Sequence, residues 1–322
     1  MSRTPPSSSN WTRPAPGPAD ARWYDPDEEL PREAASGLRA LAAGMRCAMA
    51  IEPERQAAPH GDWDVRRDLD DALAERQFFL VYQPTIDLQS GAFVGVEALL
   101  RWRHPTRGVV SPDMFIPQLE SSGRIVPVGS WVLEAACRQG ADWHDRGSRF
   151  TVSVNVATKQ LNDPGFPEIV EQALASSRFD AGHLVLEFSE HSLVDGKSAT
   201  AARIASVRSL GVLLAVDDFG AEATASETLR ALPIDIVKID RAFISGLATS
   251  SDTAARVHEL VQLGKSLGVQ TIAQGIEDDD QRLRLQIEDV DVGQGFLFSV
   301  PHDAAEIDRY LEDFAIFSGK PL

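Results

Sequence analysis

Four apolar runs in this chain stop at an acid or an amide, and a fifth stops at a lysine. Glu97 sits in Val96-Glu97-Ala98-Leu99-Leu100-Arg101, and Asn155 follows Phe150-Thr151-Val152-Ser153-Val154. Glu187 follows Leu184-Val185-Leu186, the pair Asp217-Asp218 follows Val212-Leu213-Leu214-Ala215-Val216, and Lys238 follows Ile234-Asp235-Ile236-Val237. If these runs are parallel strands of one sheet or barrel, all six groups meet at its carboxyl edge, where such folds bind ligands. Hard oxygen donors gathered there suit Mg²⁺ or Mn²⁺, and a lone lysine suits a phosphate or a polarised water. Each acid taken singly also reads as a helix N-cap or a solvated strand end. It is the series that points to a site.

A chain of 322 residues with 43% hydrophobic content is long enough to bury a full core. From about residue 64 onward it has the ~250 residues of a (β/α)₈ barrel, so one domain of that size is the economical reading. The net charge of −17 argues against general DNA or RNA binding, because affinity for a phosphate backbone comes from Lys and Arg. A small nucleotide held through a metal is compatible with it. Cys47 and Cys137 stand far apart with no C-x-x-C or neighbouring His pattern, which supports neither a disulfide framework nor a zinc site and fits a reduced, cytoplasmic setting. The first ten residues lack the pattern of a secretion signal, and no apolar run approaches the ~18 residues of a transmembrane segment.

Residues 1–61 read as an extension. Its first 28 residues are rich in Pro, Ser, Ala and Gly, a composition that buries too little to order itself. Leu38, Leu41, Met45 and Met49 are spaced for an amphipathic helix over 31–51, which docks on the main domain, binds a partner or dimerises. Residues 62–322 read as the barrel domain. Strands are expected near 78–83, 93–99, 150–155, 184–188, 212–216, 234–239, 269–273 and 291–298. Helices are expected near 112–122, 127–146, 164–177, 198–210, 225–231, 252–267, 278–287 and 302–314. Two strands in succession, then repeated βα units, predict an α/β fold: a modified TIM (β/α)₈ barrel whose first strand runs antiparallel to the rest.

The series Phe79-Leu80-Val81-Tyr82-Gln83-Pro84, Glu97 to Trp102, Asn155-Val156, Glu187-Phe188-Ser189-Glu190, Asp217-Asp218-Phe219-Gly220, Leu232-Pro233 to Arg241 and Gln294-Gly295 resembles the EAL-domain family across roughly residues 64–318. Seven motifs in order make the resemblance specific. It implies a cyclic-di-GMP phosphodiesterase that opens one phosphodiester bond to give pGpG with Mg²⁺ or Mn²⁺. By the same resemblance Glu97, Asn155, Glu187 and Asp217 hold a first metal, and Asp217 bridges to a second held also by Asp218. Lys238 orients or activates the water, Arg101 pairs with a phosphate oxygen, and Gln83 and Gln294 hydrogen-bond the ligand or its water. A homodimer and a regulatory protein partner are compatible with it; an upstream nucleotide-cyclase domain is not expected in residues 1–62.

Two departures bear on activity. Where the family has Ala-Glu-Gly-Val-Glu, this chain has Ala273-Gln274-Gly275-Ile276-Glu277. Gln274 keeps a carbonyl oxygen but carries no charge and accepts no proton near neutral pH. Glu277 matches the family's second Glu, yet an offset of three residues directs it elsewhere. The family loop Thr-Gly-Tyr-Ser-Ser is here Ala221-Glu222-Ala223-Thr224-Ala225, losing a Gly that admits positive φ. Glu190, which braces that loop in the family, is then expected to be an idle surface acid. The expectation is a protein that binds metal and cyclic-di-GMP with weak or absent hydrolysis; a working phosphodiesterase and a nucleotide-independent interaction scaffold are the alternatives.

Overall fold

The computed structural model describes residues 65–194, 198–220, 230 and 232–318. Its centre is a nine-stranded sheet: β1 (Phe78–Asp87), β2 (Phe93–His104), β3 (Gly108–Val110), β4 (Thr151–Val156), β5 (Leu184–Ser189), β6 (Leu213–Phe219), β7 (Ile236–Ile239), β8 (Gln270–Ala273) and β9 (Val292–Gly293). The order is β1-β9-β8-β7-β6-β5-β4-β2-β3, and a further β1–β2 ladder closes eight strands into a barrel with β3 appended. β1 is antiparallel to both β2 and β9, and β2 and β4 through β9 run parallel to one another. This is the predicted arrangement.

Helices follow from local chemistry. The helix Asp279–Ile287 opens on a capping box, in which the Asp278 carboxylate accepts from the Gln281 N–H and the Gln281 side chain returns to the Asp278 N–H. Ser250 caps Ser251–Leu267, which Gly268 ends in the left-handed conformation (φ 64°). The 21-residue helix Ile125–Asp145 buries Val128, Val132, Leu133, Ala136, Cys137, Gly140 and Trp143, a stripe of i, i+4 and i+3 steps that packs on the barrel wall. A Cβ at Gly140 would lie 2.7 Å from the Phe179 ring, so only glycine allows this approach. Cys137 is a free buried thiol, pushed up to about 12 by burial and therefore inert.

Strand alternation divides the apolar residues into two cores. Val152, Val154, Leu184, Leu186, Phe188, Leu214, Val216, Val237 and Ile239 join the large outer core between strands and helices. A small inner cluster of Val185, Leu213, Ala215, Ile236, Ile272 and Val292, with Val94 against it, plugs the barrel. Two irregularities modify the alternation. On β2 the register passes from Ile86↔Phe93 to Thr85↔Gly95, leaving Val94 as an extra residue. Val94 therefore packs inward, and so do the positions of Gly95 and Glu97. A Cβ at Gly95 would meet Thr151 Oγ1 at 2.3 Å and Thr85 Oγ1 at 2.9 Å. The second irregularity lies between Val216 and Phe219 on β6, where Asp218 has φ 54°.

The largest boundary differences from the predicted elements lie at β2 and at the last strand. β2 does not stop near residue 99 but runs to His104, because its pairing with β1 continues to Phe78↔Trp102 and Trp102 is fully buried. Glu97 is thus mid-strand, and the β1–β2 hairpin rises past the barrel rim. The last strand is only Val292–Gly293, shorter than the predicted 291–298, because residues 295–299 turn back in hydrogen bonds from Phe298 and Ser299 N–H to the Gly295 carbonyl. The predicted helices 31–51 and 225–231 fall wholly or largely outside the described residues, as do loop 221–225 and Cys47. Among the described residues no helix is long and apolar enough to cross a membrane.

Candidate active site at the carboxyl edge of the barrel

Directly above the inner apolar cluster, each of the eight barrel strands delivers one polar side chain. Glu187 stands two residues past Val185, Asp217 past Ala215, Lys238 past Ile236, Gln274 past Ile272 and Gln294 past Val292. Gln83 and Glu97 face each other across the β1–β2 ladder, and Asn155 is opposite Glu187 on β4. Period-two alternation puts each polar residue on the same face as the apolar one before it, so the plug and the polar layer form together.

Lys238 is the hub of this layer. Its ammonium donates to Glu187 Oε2 at 2.6 Å and Glu97 Oε2 at 2.9 Å, and lies 3.8 Å from Asp217 Oδ1. Glu97 also accepts from Asn155 Nδ2 at 2.6 Å and Gln294 Nε2 at 2.8 Å. Gln294 Nε2 lies 3.3 Å from Gln83 Oε1, and Gln83 Nε2 donates to the Ser299 carbonyl at 3.1 Å. Gln274 Nε2 donates to Asp217 Oδ1 at 2.8 Å. Lys238 is 1% exposed and Glu187 2%, so these are charges taken out of water and held by one another.

Their titration follows from that burial. Burial would raise Glu97, but the Lys238 charge and hydrogen bonds from Lys238, Gln294 and Asn155 outweigh it and hold the group below the usual carboxylate range. Glu187 is pushed up to about 8 by burial and by the Glu97 charge, against the pull of Lys238. Asp217 is raised by burial despite Lys238, and Lys238 itself is raised by Asp217, Glu187 and Glu97 although burial opposes its charge.

Three carboxylates share one ammonium, and a net charge of −2 is left when all are ionised. Among the described residues no trio of acids or imidazoles is already set as a cation cage; the acids are drawn onto Lys238 instead. The donor set nevertheless fits a divalent cation, since carboxylate and amide oxygens are hard ligands and a 2+ charge matches the excess.

Asp218 extends the layer to the rim. Positive φ at this residue lets two consecutive acids serve one edge, a conformation Asp tolerates better than most residues. Asp218 is pushed up to about 6 by burial, by Asp217 and by a hydrogen bond with Asp240. Asp240 was not singled out from the sequence as a site residue. Its signal was there, two positions after Lys238 on the same strand face, but it also reads as the N-cap it is, accepting from the Ala242 N–H at 2.6 Å.

Glu190 is not the surface acid expected. It is 2% exposed, and its Oε2 accepts the Gly220 N–H at 3.0 Å, at the head of the segment that follows Asp217-Asp218. The helix Glu190–Val194 starts directly after β5 and turns the side chain inward. Glu190→Ala should cost about 1–3 kcal/mol by stranding that buried N–H, and Glu190→Gln, which keeps an acceptor, distinctly less; urea unfolding of both variants checks this. Equal losses would mean that the charge, and not the acceptor, matters.

Arg101 lies on the face of β2 that carries Glu97, opposite Phe79, half-buried, with its guanidinium donating to the Leu100 carbonyl at 3.0 Å. Glu277 is exposed beyond β8, its N–H donating to Gln281 Oε1 at 2.7 Å, and among the described residues its side chain makes no hydrogen bond or ion pair with the polar layer. The structure therefore brings together Gln83, Glu97, Asn155, Glu187, Asp217, Lys238, Gln274 and Gln294, with Asp218 and Glu190 beside them.

A closed (β/α)₈ barrel with an antiparallel first strand and an all-polar carboxyl layer of acids, amides and one buried lysine defines an α/β-barrel protein with a buried polar site at that edge. Residues 66–301 match the family described as EAL domain, and the chain belongs to that family. It is 37% identical over 241 residues to the bifunctional diguanylate cyclase/cyclic di-GMP phosphodiesterase MucR of Pseudomonas aeruginosa, covering 74% of this chain and 35% of that protein. It is 37% identical over 237 residues to a cyclic di-GMP phosphodiesterase of the same organism, covering 74% of this chain and 40% of that one. The chain thus spans little more than a third of the length of these relatives. The solved PaMucR phosphodiesterase in complex with c-di-GMP superposes with a TM-score of 0.74 at 36% identity, over 76% of this chain and 100% of that one. The FimX EAL domain of Pseudomonas aeruginosa, at 22% identity and a TM-score of 0.69 over 74% and 97% of the two chains, shares the fold.

Proposed function

We propose that this chain binds cyclic-di-GMP with a divalent metal, Mg²⁺ or Mn²⁺, at the polar layer and hydrolyses it weakly or not at all. The observation that carries this reading is the contact between Gln274 Nε2 and Asp217 Oδ1 at 2.8 Å. A neutral amide, donating a hydrogen bond, stands where the family resemblance places a glutamate that binds metal or accepts a proton. Glu97, Asn155, Glu187 and Asp217 would hold the metal, with Asp218 at the rim, and Arg101, Gln83 and Gln294 would hold the ligand. When bound, the metal supplies charge neutralisation at the phosphate and an acidified water. Lys238 fixes the two glutamates and keeps a proton throughout the neutral range. What the site lacks is an ionised base at position 274.

Calorimetry with cyclic-di-GMP in Ca²⁺, followed by analysis for pGpG after exchange to Mg²⁺ or Mn²⁺, tests the reading. Binding without pGpG is expected. Hydrolysis at the rate of an ordinary phosphodiesterase overturns the inactive half of the proposal, and no binding in any of the three metals overturns all of it. A working phosphodiesterase is the second reading, favoured by relatives of that activity and by the gathering of Glu97, Asn155, Glu187, Asp217 and Lys238 in one polar layer.

The acids also predict how metal and pH interact. Glu187, held near 8, and Asp218, near 6, keep protons in the folded chain that the unfolded chain loses near ~4. Their contribution to stability is full below ~4 and is lost as pH rises through 6 and then 8. Without metal the melting temperature should therefore fall from pH 6 to pH 8. The upward shift given by Mg²⁺ or Mn²⁺ should be larger at pH 8, where fewer protons compete for the carboxylates. A metal-induced shift equal at both values would mean that the cation does not bind these acids.

A further inference from the structure

We propose that the outer end of the β1–β2 hairpin carries a second anion site, apart from the polar layer, which takes a phosphate group between Arg76 and Arg103. A cavity of about 520 Å³ opens there, lined by the turn 75–77 ahead of β1, by Phe79 and by residues 103–106. Arg103 stands six residues past Glu97 on β2, about 20 Å along the strand, so the cavity lies beyond the barrel rim and outside the layer of acids. In a chain of net charge −17, two arginines share this one space. Among the described residues neither guanidinium makes a hydrogen bond or an ion pair, whereas Arg146, Arg208 and Arg284 each hold an acid.

Both arginines are set in place by the surrounding chain. The Arg103 guanidinium carbon lies 4.4 Å from the centre of the Phe79 ring, a stack that fixes the plane of its fork. The Arg103 N–H donates to the Gln77 carbonyl at 2.8 Å. Arg76 follows the helix Val65–Ala72 in the left-handed conformation (φ 55°). Its N–H donates to the Leu73 carbonyl at 3.3 Å and the Gln77 N–H to the Ala72 carbonyl at 2.9 Å, the paired bonds of a Schellman motif. The Gln77 side chain accepts from Trp102 Nε1 at 2.9 Å and donates to Glu75 Oε2 at 2.6 Å, so the one acid lining the cavity already has a partner. His104 is committed to Asp68 at 3.0 Å and to the Thr106 N–H at 3.2 Å, which leaves the two guanidiniums as the uncommitted cations of the lining. Two planar forks around one space match the oxygens of a phosphate, which accepts paired hydrogen bonds from each.

Inorganic phosphate and a phosphomonoester offer the same dianion, and GMP serves as the probe for the second. The test is ³¹P line broadening by protein freed of divalent cations on a chelating resin, with phosphate and GMP titrated separately. Saturable broadening of at least one is expected, and the probe that responds identifies the source; broadening of neither overturns the site. Arg103→Ala and Arg76→Ala should each raise the dissociation constant about tenfold or more. Both side chains are exposed, so the melting temperature should change little. Arg284→Ala, which removes the same charge from the helix Asp279–Ile287, and Arg101→Ala, which removes the guanidinium assigned to the dinucleotide, should leave this binding unchanged. Unchanged affinity in either cavity variant, equal weakening in Arg284→Ala or equal weakening in Arg101→Ala overturns the proposal: the anion is then not held here, answers only to net charge, or sits with the dinucleotide's own contacts. With no metal and no cyclic-di-GMP in the tube, none of these results depends on the function proposed above.

Discussion

Lys238→Met should lower the stability of the metal-free protein by about 3–5 kcal/mol near pH 8, the largest loss expected from any single substitution at this site. Met keeps the length and apolar stem of the lysine, so the packing above Ile236 is little altered. What is lost is the only ammonium among Glu97, Glu187 and Asp217, which leaves two nearly water-free carboxylates without their strongest donor. The loss should shrink toward pH 5, since protonation of the acids removes the repulsion at lower cost than keeping the charges buried. Urea unfolding at both pH values reads this difference. An equal loss at pH 5 and pH 8 would show that Lys238 stabilises by packing and not by charge. Divalent metal should restore part of the stability at pH 8, because the cation then answers the same acids.

Gln274→Glu should raise cyclic-di-GMP hydrolysis by about 10²–10⁴, the usual worth of a general base in place. The geometry also predicts a price in the metal-free state. Gln274 now donates to Asp217 at 2.8 Å, and a glutamate would set a further carboxylate against one already raised by burial. The variant should therefore unfold at lower urea without metal and gain more from Mg²⁺ or Mn²⁺ than the parent does. A faster enzyme with tighter metal dependence means the site was silenced at this position. No gain in a protein already producing pGpG means the position is dispensable, and no gain in an inactive one places the block elsewhere, with the altered 221–225 loop next to examine.

Much of the barrel could be read from the chain because its signal is local. Runs such as Leu213-Leu214-Ala215-Val216 are apolar on both faces, as strands buried between a plug and a helical layer must be, and the polar residue that ends each run marks the rim. The place of Glu97 was less legible. Counting by twos from Val94 puts Glu97 on the outer face, and only the extra residue in the β1–β2 ladder returns it to the inner one. The partners of Lys238 were invisible for the same reason: its contacts to Glu97 and Glu187 join residues 141 and 51 positions apart. Glu190 was misplaced because a charged residue at the start of a short helix has no local mark of burial, and its partner Gly220 lies 30 residues away.

By itself the sequence determined the α/β class, the antiparallel first strand, the family resemblance and the polar residues that interrupt or close the apolar runs, since alternation and turn chemistry are properties of neighbouring residues. Tertiary structure alone decided that three acids converge on one ammonium, that an extra residue on β2 and a positive φ at Asp218 aim Glu97 and Asp218, and that Gln274 donates to Asp217. Those depend on strand register and barrel closure, which are set by packing among residues distant in the chain.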